Sequence, residues 1–285
     1  MKNTKRLIIL ALCLVLIGIV ISGAGVLAVN FDFSALSLTK FTTTTHTVET
    51  DFTKLSISTE ISDVALAVSE DDTCSVVCRE EENFFHTVSV ENHTLTIATQ
   101  DDRMWYEHIG LHFGNSHAVT VYLPKKAYES LTVSCNTADV EIPKGFSFGF
   151  AEIKTTTGDV MWRGSMVNNL AMSVNTGDIF VEDTGCQTLS AKTDTGDICL
   201  TATVATQNLT AETDTGDVRF DRFDAKTISV TTDTGDVTGT LLSNKLFITE
   251  AGTGDIQVPV PAGDVVEADI CRITTKTGDI RISLS

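Results

Sequence analysis

The sequence predicts an all-β protein: a right-handed parallel β-solenoid of about 19–20-residue coils behind one N-terminal transmembrane helix. Three observations lead there. The tripeptide Thr-Gly-Asp recurs seven times, with glycines at Gly158, Gly177, Gly196, Gly216, Gly235, Gly254 and Gly278, at spacings of 19, 19, 20, 19, 19 and 24. Self-similarity at a fixed period of this size marks a repeat in which each unit buries its apolar side only against its neighbours. Around each tripeptide apolar and polar residues alternate, the period of a half-buried strand. Helix signals are nearly absent after the first 29 residues. The hand follows the general preference of parallel crossovers.

The N-terminal elements come first. Lys2, Lys5 and Arg6 precede Leu7–Val29, an uncharged run of 23 residues. About 20 apolar residues span a bilayer as a helix. Positive charge stays inside, so residues 1–29 read as a cytoplasmic basic tip and anchor, with the rest of the chain outside the cell. A cleaved signal peptide is the competing reading, with Val26-Leu27-Ala28 as the cleavage site, but the run exceeds the usual signal core of about 7–15 residues. Residues 30–50, with Thr42-Thr43-Thr44-Thr45, read as a stalk. Residues 51–130 read as an irregular β N-terminal part of the solenoid. There Leu55–Leu66 looks like a decayed first coil, with Asp63 where the repeat aspartate falls. A loop at 100–117 carries Trp105, Tyr106, His108, His112, Phe113 and His117.

Residues 131–285 are the repeat proper, beginning with the degenerate Thr137-Ala138-Asp139. Seven positions before the glycine stand Leu131, Ala151, Leu170, Leu189, Leu209, Ile228, Phe247 and Cys271. Two after it stand Val140, Val160, Ile179, Ile198, Val218, Val237, Ile256 and Ile280. Columns this apolar face a core. The position three after the glycine is mixed, from Glu141 and Met161 to Arg219 and Arg281, and faces solvent or a partner. The glycine supplies a turn with positive φ between two strands. Near Gly254 the apolar phase slips by one, which predicts a bulge beside Gly252.

His93-Thr-Leu-Thr-Ile-Ala98, Val119-Thr-Val-Tyr-Leu-Pro124 and Leu131-Thr-Val-Ser-Cys-Asn-Thr-Ala-Asp-Val-Glu-Ile142, with the recurring Gly-Asp-[Ile/Val] corner, resemble the bacterial "putative adhesin" family of Thr/Ser-Gly-Asp β-repeat proteins, named as a domain of unknown function. The resemblance covers about residues 50–285. It implies an all-β repeat fold, commonly behind a membrane anchor and sometimes encoded near envelope-stress regulators. It implies no characterised enzyme and carries over no functional residue.

Charge and motifs narrow the function classes. The part beyond residue 30 holds all 38 acidic residues and 17 of the 20 basic ones, so its charge is 17 minus 38, or −21. Nucleic-acid binding needs a basic face and is excluded. Anionic headgroups are disfavoured, whereas a cation, a basic polymer or a basic protein patch fits. Stacked coils place the repeat aspartates in a row about 4.8 Å apart. Asp194, Asp214 and Asp233 add a second carboxylate to three coils, beside Asp197, Asp217 and Asp236. This row reads either as a calcium ladder, since calcium takes about 6–8 oxygens, or as turn caps in which each Asp accepts its own turn's N–H groups. Capping is the favoured reading, and no cofactor is expected otherwise.

Asp194-Thr-Gly, Asp214-Thr-Gly and Asp233-Thr-Gly match the aspartic-protease triplet, but that chemistry joins two aspartates from two lobes, so the match is coincidental. In the loop, His108 and His112 have a metal-ligand spacing, against which stands an aromatic flap covering the stack. The exported cysteines, Cys74, Cys78, Cys135, Cys186, Cys199 and Cys271, form no compact disulfide framework and read as small buried hydrophobes. No nucleophile elbow, P-loop or dinucleotide fingerprint occurs. The expectation is a single-pass cell-membrane protein whose extracellular β-repeat scaffold serves adhesion or envelope interaction without catalysis, with an envelope protein or polymer as partner. A regulatory partner of a membrane envelope-stress sensor is the alternative, and a carbohydrate-active β-helix enzyme a lower one.

Overall fold

Each repeat contributes a long strand before its glycine and a short strand after it. The computed structural model describes residues 14–18, 20, 41–104, 117–260 and 269–285. The long strands are β8 (Ala127–Thr137), β10 (Ser147–Thr157), β12 (Met166–Thr176), β14 (Gly185–Thr195), β16 (Val204–Thr215) and the second half of β17 (Val218–Thr234). The short ones are β9 (Val140–Ile142), β11 (Val160–Arg163), β13 (Ile179–Glu182), β15 (Ile198–Thr201), the first half of β17, and β18 (Val237–Leu241). Every long strand pairs in parallel with its equivalents in adjacent coils, and every short strand likewise, which builds two facing sheets.

The predicted columns are the hydrogen-bond register. Leu131, Ala151, Leu170, Leu189, Leu209 and Ile228 stand side by side, as do Val140, Val160, Ile179, Ile198, Val218 and Val237. All of them are buried, so the core is the space between the sheets. The 20-residue spacing also finds its place. Between Ala205 and Asn208, β16 carries one residue more than either neighbouring strand, a bulge that leaves the corners on either side in line.

The first coil is where Asp63 places it. β2 (Lys54–Thr59) lies against β8, and β3 (Ser62–Val68) against β9, although 76 residues separate Leu55 from its partner Leu131. The strands between extend both sheets outward from this coil. β6 (Thr94–Asp101) pairs with β2 in parallel and β5 (Phe84–Glu91) with β6 antiparallel. β7 (His117–Leu123) pairs with β3 in parallel. β4 (Cys74–Glu80) then pairs antiparallel with β7, and β1 (Thr42–Val48) antiparallel with β4. These antiparallel strands end the repeat at its N-terminal side. Residues 42–48 of the stretch expected to be a stalk are therefore strand β1. Its threonines gave no apolar alternation, because only one of its faces rests on the domain and that face is half-buried at most.

The other end departs from simple stacking. β21 (Ile270–Thr277) and β22 (Ile280–Leu284), the last coil in sequence, pair with β17 and β18. The preceding coil, β19 (Leu246–Thr253) and β20 (Ile256–Gln257), lies outside them and closes the stack. The chain steps over one coil position and returns to fill it, which is why the last glycine spacing is 24. The bulge expected beside Gly252 is absent. Leu246–Thr253 runs in unbroken register with Ile270–Thr277. The apolar phase is blurred because β19 is an edge strand, with Leu246 and Ile248 on its exposed face.

Residues 14–18 and 20 are helical and exposed. Among the described residues no helix is long and apolar enough to cross a membrane. The rest of the expected span lies outside the described residues.

Candidate functional site

The corner of each coil leaves two backbone groups that the parallel ladders do not use, and the Thr-Gly-Asp repeat supplies a side chain for each. The glycine N–H donates to the carbonyl of the threonine before the glycine in the next coil, as from Gly177 to Thr195 at 2.9 Å. The residue after the aspartate donates to the next aspartate's carbonyl, as from Ile179 to Asp197 at 2.9 Å. The aspartate N–H and the glycine carbonyl remain. Each aspartate N–H donates to Oδ1 of the aspartate one coil back, at 2.8 Å for Asp178 to Asp159 and 2.7 Å for Asp197 to Asp178. Eight such bonds link Asp63, Asp139, Asp159, Asp178, Asp197, Asp217, Asp236, Asp279 and Asp255 in spatial order. The aspartates thus serve the neighbouring coil rather than their own turns.

The glycine carbonyl is met by a buried threonine three residues before the glycine of the following coil. Thr193 donates to Gly177 O at 3.0 Å, Thr213 to Gly196 O at 3.0 Å, and Thr275 to Gly235 O at 3.2 Å. Glycine itself is required twice over at these corners. Its φ lies between 128° and 156°, where L side chains are strained, and a Cβ on Gly216 would sit 1.9 Å from the Gly196 carbonyl oxygen.

The carboxylate row needs offsets for its mutual repulsion. The Asp N–H donors provide one. Arg219, in the mixed column, provides another, reaching Oδ2 of both Asp197 and Asp217 at 2.6 Å. At Asp279 the Asp255 N–H, and then the Arg281 guanidinium, hold the carboxyl below its ordinary value. Of the outer carboxylates, Asp194 and Asp214 are exposed, and Asp233 pairs with Lys276. As a calcium site the row offers little. One oxygen of each repeat aspartate except Asp255, the last in the stack, is spent on an N–H, Arg219 takes two of the others, and successive coils stand about 4.8 Å apart. Calcium wants about 6–8 oxygens at about 2.3–2.6 Å. Among the described residues no three of these carboxylates bring ligand atoms within 4.8 Å of one another.

The other sequence-level candidates scatter. His108, His112 and the aromatic residues 105, 106 and 113 lie outside the described residues. His117 is the first residue of β7. It is buried beside Glu81, its Nε2 3.1 Å from the carboxylate, with its ring against Phe84 and Phe41. The six described cysteines are free thiols, five of them buried.

Sequence reasoning missed a second polar arrangement, under the N-terminal end strands. Ser62 Oγ lies 3.0 Å from His86 Nε2, and His86 Nδ1 lies 3.2 Å from Glu80 Oε2, which also accepts the His86 N–H at 2.9 Å. The order resembles a hydrolytic Ser-His-acid triad. Ser62 has no exposed surface, however, so a substrate cannot reach it. Burial lowers the His86 pKa, with Glu80 opposing, and pushes the Cys78 thiol up to about 12. The available signal was Cys78-x-Glu80 alternating on one strand, followed by a histidine across the next turn.

Two facing sheets of stacked coils, closed by hydrogen-bonded corner columns, define the molecule as a β-repeat scaffold. The chain belongs to the family described as Toastrack DUF4097, whose model matches residues 52–284. Solved structures share the fold. A "putative adhesin" from Bacteroides fragilis is 15% identical with a TM-score of 0.58, over 86% of this chain and 97% of that one. A second, from Parabacteroides distasonis, is 16% identical with a TM-score of 0.58, over 86% and 98%. A "putative lipid binding protein" from Parabacteroides distasonis is 14% identical with a TM-score of 0.54, over 87% and 98%. At these identities the likeness is one of fold. No curated protein matches the chain.

Proposed function

We propose that this protein is a membrane-anchored β-repeat scaffold whose solenoid faces outward and works by adhesion or by contact within the cell envelope, without catalysis. The observation that carries the reading is how the stack divides its residues. Apolar columns fill the space between the sheets, while the outward columns of the long strands present rows of mostly polar and charged side chains, and that of the short strands a mixed one. Such a surface suits an extended partner better than a small substrate. The likeness in fold to structures described as adhesins supports it, and the charge of −21 beyond residue 30 points to a basic polymer or a basic protein patch. On this reading the repeat aspartates are structural and calcium is not needed.

Protease shaving of intact cells tests the placement. A C-terminal tag should be lost without lysis, and a tag that survives until the cells are broken overturns the outward orientation. Purified protein should then bind immobilised basic polymer and release with salt. Cross-linking in cells that recovers a sensor kinase instead would turn the reading towards regulation.

A further inference from the structure

We propose that Cys78, Glu80 and His86, joined by His46, form a binding site for one zinc-class divalent cation beneath strand β1. Cys78 and Glu80 stand two apart on β4, so both side chains take its inward face. The turn into β5 brings back His86. One ligand atom from each of the three lies within 4.8 Å of the others. All three are buried, with relative exposures of 0%, 7% and 3%. A tetrahedral zinc ion with bonds of about 2.0–2.3 Å needs ligand separations of about 3.3–3.7 Å. Small side-chain rotations close that difference.

Two further observations point to a cation as the ligand. Glu80 is a buried carboxylate that no Lys or Arg pairs with among the described residues; its partners are the His86 ring and N–H. Buried carboxylates are ordinarily paired with a cationic group or coordinate a metal. His46 lies on β1 opposite Val76, two residues from Thr44, the partner of Cys78, so its side chain takes the face of β1 that Thr44 shares. Its Nε2 is buried with no hydrogen-bond partner. A donor set of one thiolate, one carboxylate and two imidazoles suits zinc rather than calcium or magnesium. The His86 nitrogen that takes the ion gives up its present hydrogen bond. The other keeps its partner and holds the ring, the usual role of an outer-shell group. On binding, the Cys78 thiol proton leaves to solvent. Because β1 pairs with β4 alone among the described residues, its opening admits the ion. The bound metal would clip this first described strand to the end of the stack.

The full-length chain, purified in detergent and stripped with chelator, is titrated with cobalt(II) chloride. The expected result is about one equivalent bound, with tetrahedral d–d bands, thiolate-to-cobalt charge-transfer absorption, and displacement by zinc. Zinc alone should raise the melting temperature of the stripped protein. Cys78→Ser should remove the charge-transfer band. His86→Gln and His46→Gln should each weaken zinc binding about tenfold or more, and Cys74→Ser should change nothing. Stripped wild-type protein that shows no sulfur-to-cobalt band overturns the proposal, as does a band that survives Cys78→Ser. Should Cys78→Ser fail to fold, X-ray absorption at the zinc edge of the wild-type protein decides instead. One sulfur among nitrogen and oxygen neighbours supports the site, and a shell without sulfur overturns it.

Discussion

At the scale of single residues, the repeat signature is a solution to one bonding problem. A parallel stack turns its corner at the glycine and leaves an N–H and a carbonyl outside both ladders. An unpaired backbone group that is shielded from water costs about 1–3 kcal/mol, and the cost is greatest at the part-buried corners in the middle of the stack. Asp178 illustrates the remedy, since its Oδ1 accepts the Asp197 N–H at 2.7 Å. Two substitutions separate this role from a metal role. Asp178→Asn keeps an acceptor oxygen and removes one like charge from the row, so stability should stay within about 0.5 kcal/mol of wild type. Asp178→Ala removes the acceptor and should cost about 1 kcal/mol, lowering the melting temperature by about 2–4 °C. Neither change should alter the response to calcium or chelator. If Asn were as harmful as Ala, charge rather than hydrogen bonding would be the working property.

At the scale of elements, the sequence made the columns legible and hid their order at both ends. Leu131 to Ile228 could be aligned by eye because each inward position repeats its chemistry, and the sheets keep that register. β1 was not legible. A threonine run on an edge strand has no apolar partner to betray it, and its antiparallel pairing with β4 is decided across about thirty residues. Nor was the exchange of the last two coils. Either order satisfies the same column chemistry, and only the exposed Leu246 and Ile248 of β19 hint that this strand lies outermost. The exchange has a measurable consequence. Amides of Ile270–Thr277 lie between two strands and those of Leu246–Thr253 at an edge. Hydrogen exchange should therefore be slower in the segment nearer the chain end, the reverse of ordinary terminal fraying. Faster exchange in Ile270–Thr277 would contradict the inserted order.

At the scale of the whole molecule, the charge of −21 beyond residue 30 and the carboxylate row set the response to acid. Asp279 carries a carboxyl held below its ordinary value of 3.8, chiefly by the Asp255 N–H and then by Arg281. As pH falls below about 4, the unfolded chain takes up this proton before the folded one does. Stability therefore declines with falling pH across that window. The contribution is complete above the unfolded value and disappears as pH passes through the lowered folded value. Asp279→Asn should flatten the acid limb of a melting-temperature profile below about pH 4. An unchanged limb would mean that other carboxylates govern it.

The buried polar cluster under β1 marks the border of what a chain can reveal on its own. Cys78 and Glu80 alternate on one strand and so share a face by local geometry. His86 joins them only because β5 returns alongside, and His46 only because β1 is laid over β4 from outside. The sequence by itself determined the period, the inward columns, the Thr-Gly-Asp corner and the position of Asp63 as the first coil, since all of these are written in local alternation and in repetition at a fixed interval. Only the tertiary structure decided which coil lies beside which at the ends, that each aspartate serves its neighbour rather than its own turn, and which titratable groups meet out of water. Those outcomes rest on contacts between segments far apart in the chain, where strand pairing and side-chain burial choose among arrangements that local sequence leaves equal in energy.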